Sequence, residues 1–478
     1  MTNRATGGGS GSVPELLAAV GSWSSAGGPL YRSLARAIAG AVERGALGDG
    51  VRLPSERELA EALAIGRGTA AAVYDALVVE GLVRRRRGSG TFVAVSDQPA
   101  LPAGREGSAL VQRLVERSEP NGAMVDLSLS VLGDASFQPP LALGSADLRT
   151  VTPDTGYTPW GLPPLRRAIA AELGARGLAT REEQVVVTTG AQQAISMAAA
   201  CWVRPGDAVV VEDPTYPGAL AAFTQAGARL LGVPLDDGGV RVGALRKALE
   251  ERPALVYLQS SVHSPTGTVL AAGRRAEIAA LVTERHVPLV EDVALVDLTW
   301  GAVPPPIAAQ APTASTAVVG SLSKRFWGGL RVGYVRAPEP LALRLARIKA
   351  TRDLGSSAVS QLLAAQLLER AAGDPFEQRR RDVLRARHDQ LGEALRHRLP
   401  GWTWRPPAGG LSLWVDLRAP SEPFAQHALR TGVAVATPGV LSPSGQCPHH
   451  LRLSFSGPPD ELEEGVARLA TAWRTWRA

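Results

Sequence analysis

Apolar positions near the start of the chain recur at helical intervals, whereas further along they gather into short continuous blocks. Leu30, Leu34, Ile38 and Val42 form a four-residue stripe that predicts a helix from Pro29, broken by Gly45 and Gly48. Leu53-Pro54-Ser55-Glu56-Arg57-Glu58 opens a second helix. Proline suits its first turn, Ser55 with Glu58 can form a capping box, and Leu59 and Leu63 supply the apolar face. After Ala64-Ile65-Gly66-Arg67-Gly68 a third helix starts at Thr69, with Val73 and Leu77 facing inward beside Leu82. Leu82 to Val93 has two β-prone ends around Gly88-Ser89-Gly90 and predicts a hairpin. Three short helices and a hairpin describe a winged helix-turn-helix over 29–94. Before it lies an N-terminal extension, 1–28, whose Gly/Ser-rich residues 1–12 are expected to be disordered. After it, 95–122 is expected to be a flexible linker with a turn or two of helix near Leu110–Val115.

The pattern changes from about Asp126, within a domain taken as 123–478. Val185–Thr189, Val209–Glu212, Leu255–Leu258, Pro288–Glu291 and Thr316–Gly320 are apolar blocks, separated by helices such as Ala191–Trp202 and Arg274–His286. Apolar strands alternating with helices imply an α/β fold with a mostly parallel sheet covered on both faces. A smaller α+β subdomain is expected from about 340. Its strands fall at Leu411–Leu417 and Leu451–Ser456, with a last amphipathic helix near Glu461–Trp476.

At 478 residues the chain is too long for one core, which agrees with this division. Its two cysteines, Cys201 and Cys447, cannot build a disulfide framework, as expected for a reducing cytoplasm. Met-Thr-Asn-Arg followed by Gly/Ser has no apolar core of a secretory signal, and no run is apolar enough to span a membrane. Net charge is +6, and residues 1–95, with 11 basic and 8 acidic residues, hold +3 of it. Clustering matters more than that total. Arg84-Arg85-Arg86-Arg87, followed by Gly88, could be a solvated charge run. Placed after a helix pair and beside a turn, it better suits the phosphates of double-stranded DNA.

Candidate chemistry centres on Lys324. Among 51 Lys+Arg, lysine occurs only at 247, 324 and 349. Arginine keeps its proton, whereas a desolvated lysine can lose one and form a Schiff base. Lys324 sits in Gly320-Ser-Leu-Ser-Lys-Arg-Phe-Trp-Gly-Gly-Leu-Arg-Val-Gly-Tyr334. There Ser321, Ser323 and the forked donor Arg331 could face a phosphate, and glycines 328, 329 and 333 could let backbone approach a bulky ligand. Thr189-Gly190-Ala191-Gln192 joins a strand to a helix start, a geometry that attracts phosphate. Asp292 ends a strand 32 residues before Lys324 and could hold a pyridine nitrogen protonated, or serve as a cap or surface acid. Tyr216, in Asp213-Pro-Thr-Tyr-Pro217, could stack on a cofactor ring or be a turn aromatic. Cys447-Pro-His449-His450 lacks a supporting cluster, and no metal is expected there.

Two resemblances follow from these motifs. Leu30-Tyr31, Leu53-Pro-Ser-Glu-Arg-Glu-Leu-Ala60, Glu80-Gly-Leu and Arg87-Gly-Ser-Gly-Thr-Phe-Val93 resemble the GntR family of bacterial regulators. The match implies phosphate contacts for Arg57 and Thr69 and base contacts for Arg67. The family's usual hydroxyl residue before that arginine is replaced by Gly66, and Ala70-Ala71-Ala72 offers few side chains for base reading.

Residues 126–478 resemble fold-type-I aminotransferases, which use pyridoxal 5′-phosphate (PLP). The matches are Tyr157-x-Pro-x-Gly161, Thr189-Gly-Ala-Gln-Gln193, Asp213-Pro-x-Tyr-Pro217, Pro265-Thr-Gly267, Asp292, Ser321-Leu-Ser-Lys324, Arg331 and Leu451-Arg-Leu-Ser-Phe455. The resemblance implies that Lys324 carries the cofactor and that Tyr157 serves the phosphate of a partner subunit, hence a homodimer with shared sites. It assigns Arg452 to the carboxylate of a substrate or amino-acid-like effector. Ser264 stands where the family has an asparagine, and Ala294-Leu295 where it has an aromatic hydroxyl, so turnover is expected to be impaired. Together the two halves resemble the MocR subfamily of GntR regulators. That implies a cytoplasmic, nucleoid-associated regulator sensing PLP or an amino compound. The alternative is a working aminotransferase with an auxiliary DNA-binding module.

Overall fold

The computed structural model describes residues 13–20, 30–43, 46–48, 50–79, 81–86, 90–94, 124–132, 142–152, 155–311, 315–371 and 374–477. The calls on residues 1–12, on 95–122 and on Arg87 and Gly88 lie outside the described residues. The chain forms two compact units, Met1–Arg105 and Glu106–Ala478.

In the first unit, helices α1 (Val13–Val20), α2 (Leu30–Glu43), α3 (Glu56–Leu63) and α4 (Arg67–Val79) precede strands β1 (Val83–Arg86) and β2 (Gly90–Val93). Leu34, Ile38, Leu59, Val73 and Leu77 are all buried in one core. Burying each contributes about 1.5–3 kcal/mol against its exposure in the unfolded chain. The capping box forms: Ser55 Oγ accepts from the Glu58 amide, and Glu58 accepts from the Ser55 amide. Tyr74 OH donates 2.6 Å to the Pro54 carbonyl and locks α4 onto the turn before α3. Helix α1 lies inside the stretch read from sequence as an extension; Leu16 and Val20 of this helix join the same core. Its single turn pair was too short for a period to register. Helix α4 also begins at Arg67, two residues before the expected start at Thr69.

The second unit opens with β3 (Val125–Asp126) and then builds an eight-stranded sheet. Its strands are β4 (Val185–Thr188), β5 (Ala208–Asp213), β6 (Arg229–Asp236), β7 (Gly239–Val240), β8 (Leu255–Gln259), β9 (Leu289–Asp292), β10 (Thr316–Ser321) and β11 (Gly333–Arg336). They lie in the order β4-β11-β10-β9-β8-β5-β6-β7. The pairs among β6, β5, β8, β9 and β10 are parallel, while β11 runs antiparallel to both β10 and β4. Strands β4, β5, β8, β9 and β10 are buried at every position, so both faces carry apolar residues and no alternation shows in the sequence. Helices α5 (Ala191–Trp202), α6 (Ala272–Glu284) and α7 (Glu339–Asp353) belong to the covering layers.

The carboxyl-terminal layer consists of β12 (Thr403–Trp404), β13 (Ser412–Asp416) and β15 (His450–Ser454), packed by α8 (Phe376–Arg398) and α9 (Pro459–Arg477). Strand β3 pairs in parallel with β14 (Val433–Ala434), and Ser454 donates to the Leu127 carbonyl. Residues 125–127 therefore join this layer rather than the large sheet, although they precede that sheet in the chain.

Candidate functional site

Arg57, Arg67, Arg84 and Arg86 are exposed on α3, the first position of α4, and β1, and Thr69 is half-buried in the first turn of α4. Arg86 lies over the Phe92 ring at 5.1 Å. Arg85 is placed differently. Its guanidinium donates 2.7 Å to Asp75 and 2.9 Å to Glu56, tying the hairpin to α4 and to α3. The sequence reading assigns this charge to DNA; the guanidinium is exposed and also paired with two carboxylates. Replacing Arg84 with alanine is expected to reduce the salt dependence of DNA binding by roughly one phosphate contact, a slope change of about 0.9. Arg85→Ala should leave that slope unchanged and lower thermal stability slightly. Fluorescence anisotropy across a salt series separates the two.

In the second unit the carboxyl ends of β4, β5, β8, β9 and β10 open into one cleft of about 390 Å3. Ser321 ends β10, and the short helix Leu322–Arg325 lifts Lys324 into this cleft. Lys324 Nζ donates 2.8 Å to the Ser130 carbonyl. Burial pulls its pKa down to about 8, assisted by the positive charges of Arg452 and Arg331 and opposed by Asp292. About one amine in ten is then unprotonated at pH 7. A lowered pKa places the neutral nucleophile at lower pH, so its reaction rate climbs with pH and levels off above 8. Acylation of Lys324 in apo-protein, followed by peptide mass spectrometry, should be half-maximal near pH 8 rather than near the ordinary 10.5.

Asp292 ends β9 beside the lysine strand, in register with Val319 of β10 and Gln259 of β8. One carboxylate oxygen accepts from Tyr257 OH at 2.7 Å and the other from the Ala294 amide at 2.8 Å. Burial raises its pKa, while those donors and Lys324 oppose the rise. Tyr216 lines the same cleft, its hydroxyl pushed up to about 12 by burial and by Asp292.

Gly190 adopts φ +82° immediately before α5, and a Cβ there would meet Arg331 at 3.3 Å. Arg331 therefore lies across the helix start, with one nitrogen 3.0 Å from the Thr189 carbonyl. Ser321 and Ser323 line the cleft beside it, together with Gly190, Ala191 and Gln192. The Gln192 side-chain amide is spent on the Gly218 carbonyl at 2.8 Å. Two glycines of the lysine run, Gly329 and Gly333, serve a different purpose from the one expected. At Gly333 a Cβ would come within 2.6 Å of the Gly190 carbonyl carbon, and at Gly329 it would strike the Trp327 ring. They make room for protein; of the three, Gly328 lines the cleft.

Arg452, on β15, donates 2.6 Å to the Ser128 carbonyl and lies 3.4 Å from Ser264 Oγ. Its Nε is buried with no partner, and burial lowers its pKa to about 10. A buried, half-satisfied guanidinium lining a cleft has the chemistry to pair with a carboxylate. Ser264 is pinned by Gln259, which accepts from its amide and donates to its carbonyl. Ala294 and Leu295 line the cleft, and the aromatic hydroxyl nearest Asp292 is that of Tyr257, bonded to the carboxylate itself. Tyr157 is 67% exposed.

Sequence reasoning missed Ser128 and Ser130, whose carbonyls hold Arg452 and Lys324, because their segment precedes those residues by hundreds of positions. It also missed Tyr257, Gln259 and the Glu212–His263 pair. Burial pushes Glu212 well above the usual carboxylate range and pulls His263 down to about 3. His263 Nε2 lies 3.6 Å from a Glu212 carboxylate oxygen. Polar residues inside otherwise apolar strand blocks were the available signal.

A winged helix-turn-helix joined to an aminotransferase-like domain, with a half-buried lysine at the strand ends, defines a class of DNA-binding regulator with an enzyme-derived effector domain. Residues 131–469 match the model for aminotransferase class I and II, and residues 30–93 match that for bacterial regulatory proteins of the gntR family. The chain is 31% identical to the HTH-type transcriptional regulator YisV of Bacillus subtilis, covering 93% of this chain and 96% of that protein. It is 27% identical to the HTH-type transcriptional regulator TauR of Rhodobacter capsulatus, covering 94% and 97%. Among solved structures, α-aminoadipate aminotransferase LysN of Thermus thermophilus, complexed with N-(5′-phosphopyridoxyl)-L-leucine, superposes with a TM-score of 0.69. It shares 27% identity over 80% of this chain and 99% of that one. This chain belongs to the aminotransferase class I and II family through its large domain, and with its GntR-type module it is a transcriptional regulator of MocR architecture.

The family implies PLP, and the cleft fits it. A phosphate would find the α5 amides and Arg331, a ring nitrogen would find Asp292, and an aldehyde would find an amine kept partly neutral by burial. Among the described residues no helix is long and apolar enough to cross a membrane.

Proposed function

We propose that the chain binds PLP at Lys324 and regulates transcription in response to the cofactor or to an amino compound with a carboxylate. The single observation that carries this reading is a half-buried lysine sharing one cleft with Asp292, Arg331 and Arg452, in a chain that also bears a DNA-binding module. When bound, PLP supplies an aldehyde that amines can hold covalently. Asp292 would orient the ring, Tyr216 would pack against it, and Ser264 would lie beside its phenolic oxygen. Ser321, Ser323, Arg331 and the amides of Gly190, Ala191 and Gln192 would hold the phosphate. Arg452 would hold the effector carboxylate. Tyr157, exposed on this protomer, would complete the site of a second copy, making the active form a homodimer. Arg57, Thr69 and the exposed arginines of β1 would contact operator phosphates, with Arg67 at the base edges.

The test is an absorbance titration of purified protein with PLP and then with pooled amino acids, beside operator binding. A cofactor band, and operator affinity that changes with the added amine, support sensing. No band would remove the reading. A second reading, a working aminotransferase, is favoured by the joint presence of Lys324, Asp292 and Arg452 around one cleft. Multi-turnover keto-acid formation would establish it. The shortened Ser264 and the apolar Ala294-Leu295 weigh against it.

A further inference from the structure

The proposed function leaves one buried lysine unused. Lys349, on α7, has a fully buried side chain. Its ammonium donates 3.0 Å to Gln193 Oε1 and 3.0 and 2.8 Å to the two carboxylate oxygens of Asp353. Gln193, on α5, returns its amide to Asp353 at 2.6 Å. The same Oε1 accepts the Thr189 amide at 2.8 Å. The Thr189 carbonyl accepts from Arg331 at 3.0 Å, and its hydroxyl lies 3.2 Å from Ser356 Oγ. All three polar groups of Thr189 are thereby committed, and Gly190 with the α5 amides follows directly.

We propose that Lys349 is a positioning residue for the phosphate cradle, acting through Gln193 on Thr189 and hence on Gly190 and Arg331. This rests on the reading of the cleft as a PLP site. The residue type follows from geometry. Three acceptors converge on one point, and an ammonium offers three N–H bonds from one atom, whereas a planar guanidinium spreads five over a wider fork. Lysine is otherwise nearly absent from the chain, which uses arginine where charge alone is needed. Without the ammonium, Gln193 loses the donor to its carbonyl, Asp353 loses its cation, and the acceptor of the Thr189 amide is held less firmly. Arg331 and the α5 amides then no longer converge on one anion.

The experiment titrates apo-protein with PLP and with pyridoxal, which lacks the phosphate, in wild type, K349M, K349R and Q193L. Q193L keeps every charge and alters a side chain that is only half-buried, so it serves if K349M folds poorly. PLP affinity is expected to fall about ten-fold in K349M and Q193L, the size of one hydrogen bond to a charged group, and K349R should not restore it. Pyridoxal affinity should stay unchanged, because the cradle touches only the phosphate. Equal losses for both ligands, or no loss for either, would overturn the inference and leave Lys349 a packing residue. A wild type that bound both ligands equally would sink the phosphate site itself, and the inference with it.

Discussion

Lys324→Ala is expected to abolish the pyridoxyl adduct that borohydride leaves on wild-type protein, and to uncouple DNA binding from PLP and amines. Only an amine forms the imine that borohydride reduces, and neither of the other lysines lines the cleft. The substitution removes one hydrogen bond, to the Ser130 carbonyl, at a cost of about 1.5–3 kcal/mol for a charged donor. The fold should therefore persist, as circular dichroism would verify. Arg331, the α5 amides and Asp292 remain, so PLP should still bind, more weakly and without the covalent link. The measurements are peptide mass spectrometry after reduction, and binding to a DNA fragment selected in vitro with wild-type protein, with and without PLP. An adduct that survived at another residue, or effector-dependent DNA binding that persisted, would displace Lys324 from the centre of the mechanism.

Gly333→Ala should disable the cradle without touching any candidate ligand-binding side chain. Gly333 is the first residue of β11, paired with Ser321 on one side and Thr188 on the other. An added Cβ would lie 2.6 Å from the Gly190 carbonyl carbon and 2.8 Å from the Ala191 nitrogen. Both are backbone atoms and cannot rotate away, so either β11 or the start of α5 must move. Overpacking of this kind costs about 1–3 kcal/mol. The displaced amides and Arg331 should weaken PLP binding on the order of 100-fold, the loss of two charge-assisted contacts. Differential scanning fluorimetry with a PLP titration reads both effects. Unchanged affinity would show that the phosphate is held elsewhere.

Which parts of this were legible beforehand follows from what a single chain encodes locally. Helix Ala191–Trp202 and the strands around Val209, Leu255 and Val318 could be read directly, because burial writes itself into periodicity and apolar runs. Ser55 and Glu58 were readable because a capping box closes within three residues. Lys324 stood out through scarcity, yet scarcity alone was ambiguous: Lys349 is equally rare and makes a buried clamp. Strand β11 was not read as a strand, since its glycine and arginine ends hide a four-residue element.

The sequence by itself determined the two modules, the apolar framework of the sheet, and which residue types were available for amine, phosphate and carboxylate chemistry. Only the tertiary structure decided which of them meet. The antiparallel insertion of β11 sets Arg331 against Gly190, and the segment at 128–130 returns to hold Arg452 and Lys324. Arg85 pairs with Glu56 and Asp75 across elements while staying exposed. Such contacts join residues from 10 to 324 positions apart. Hydrogen bonds and packing depend on distance in space, and no local pattern of hydrophobic and polar positions specifies that.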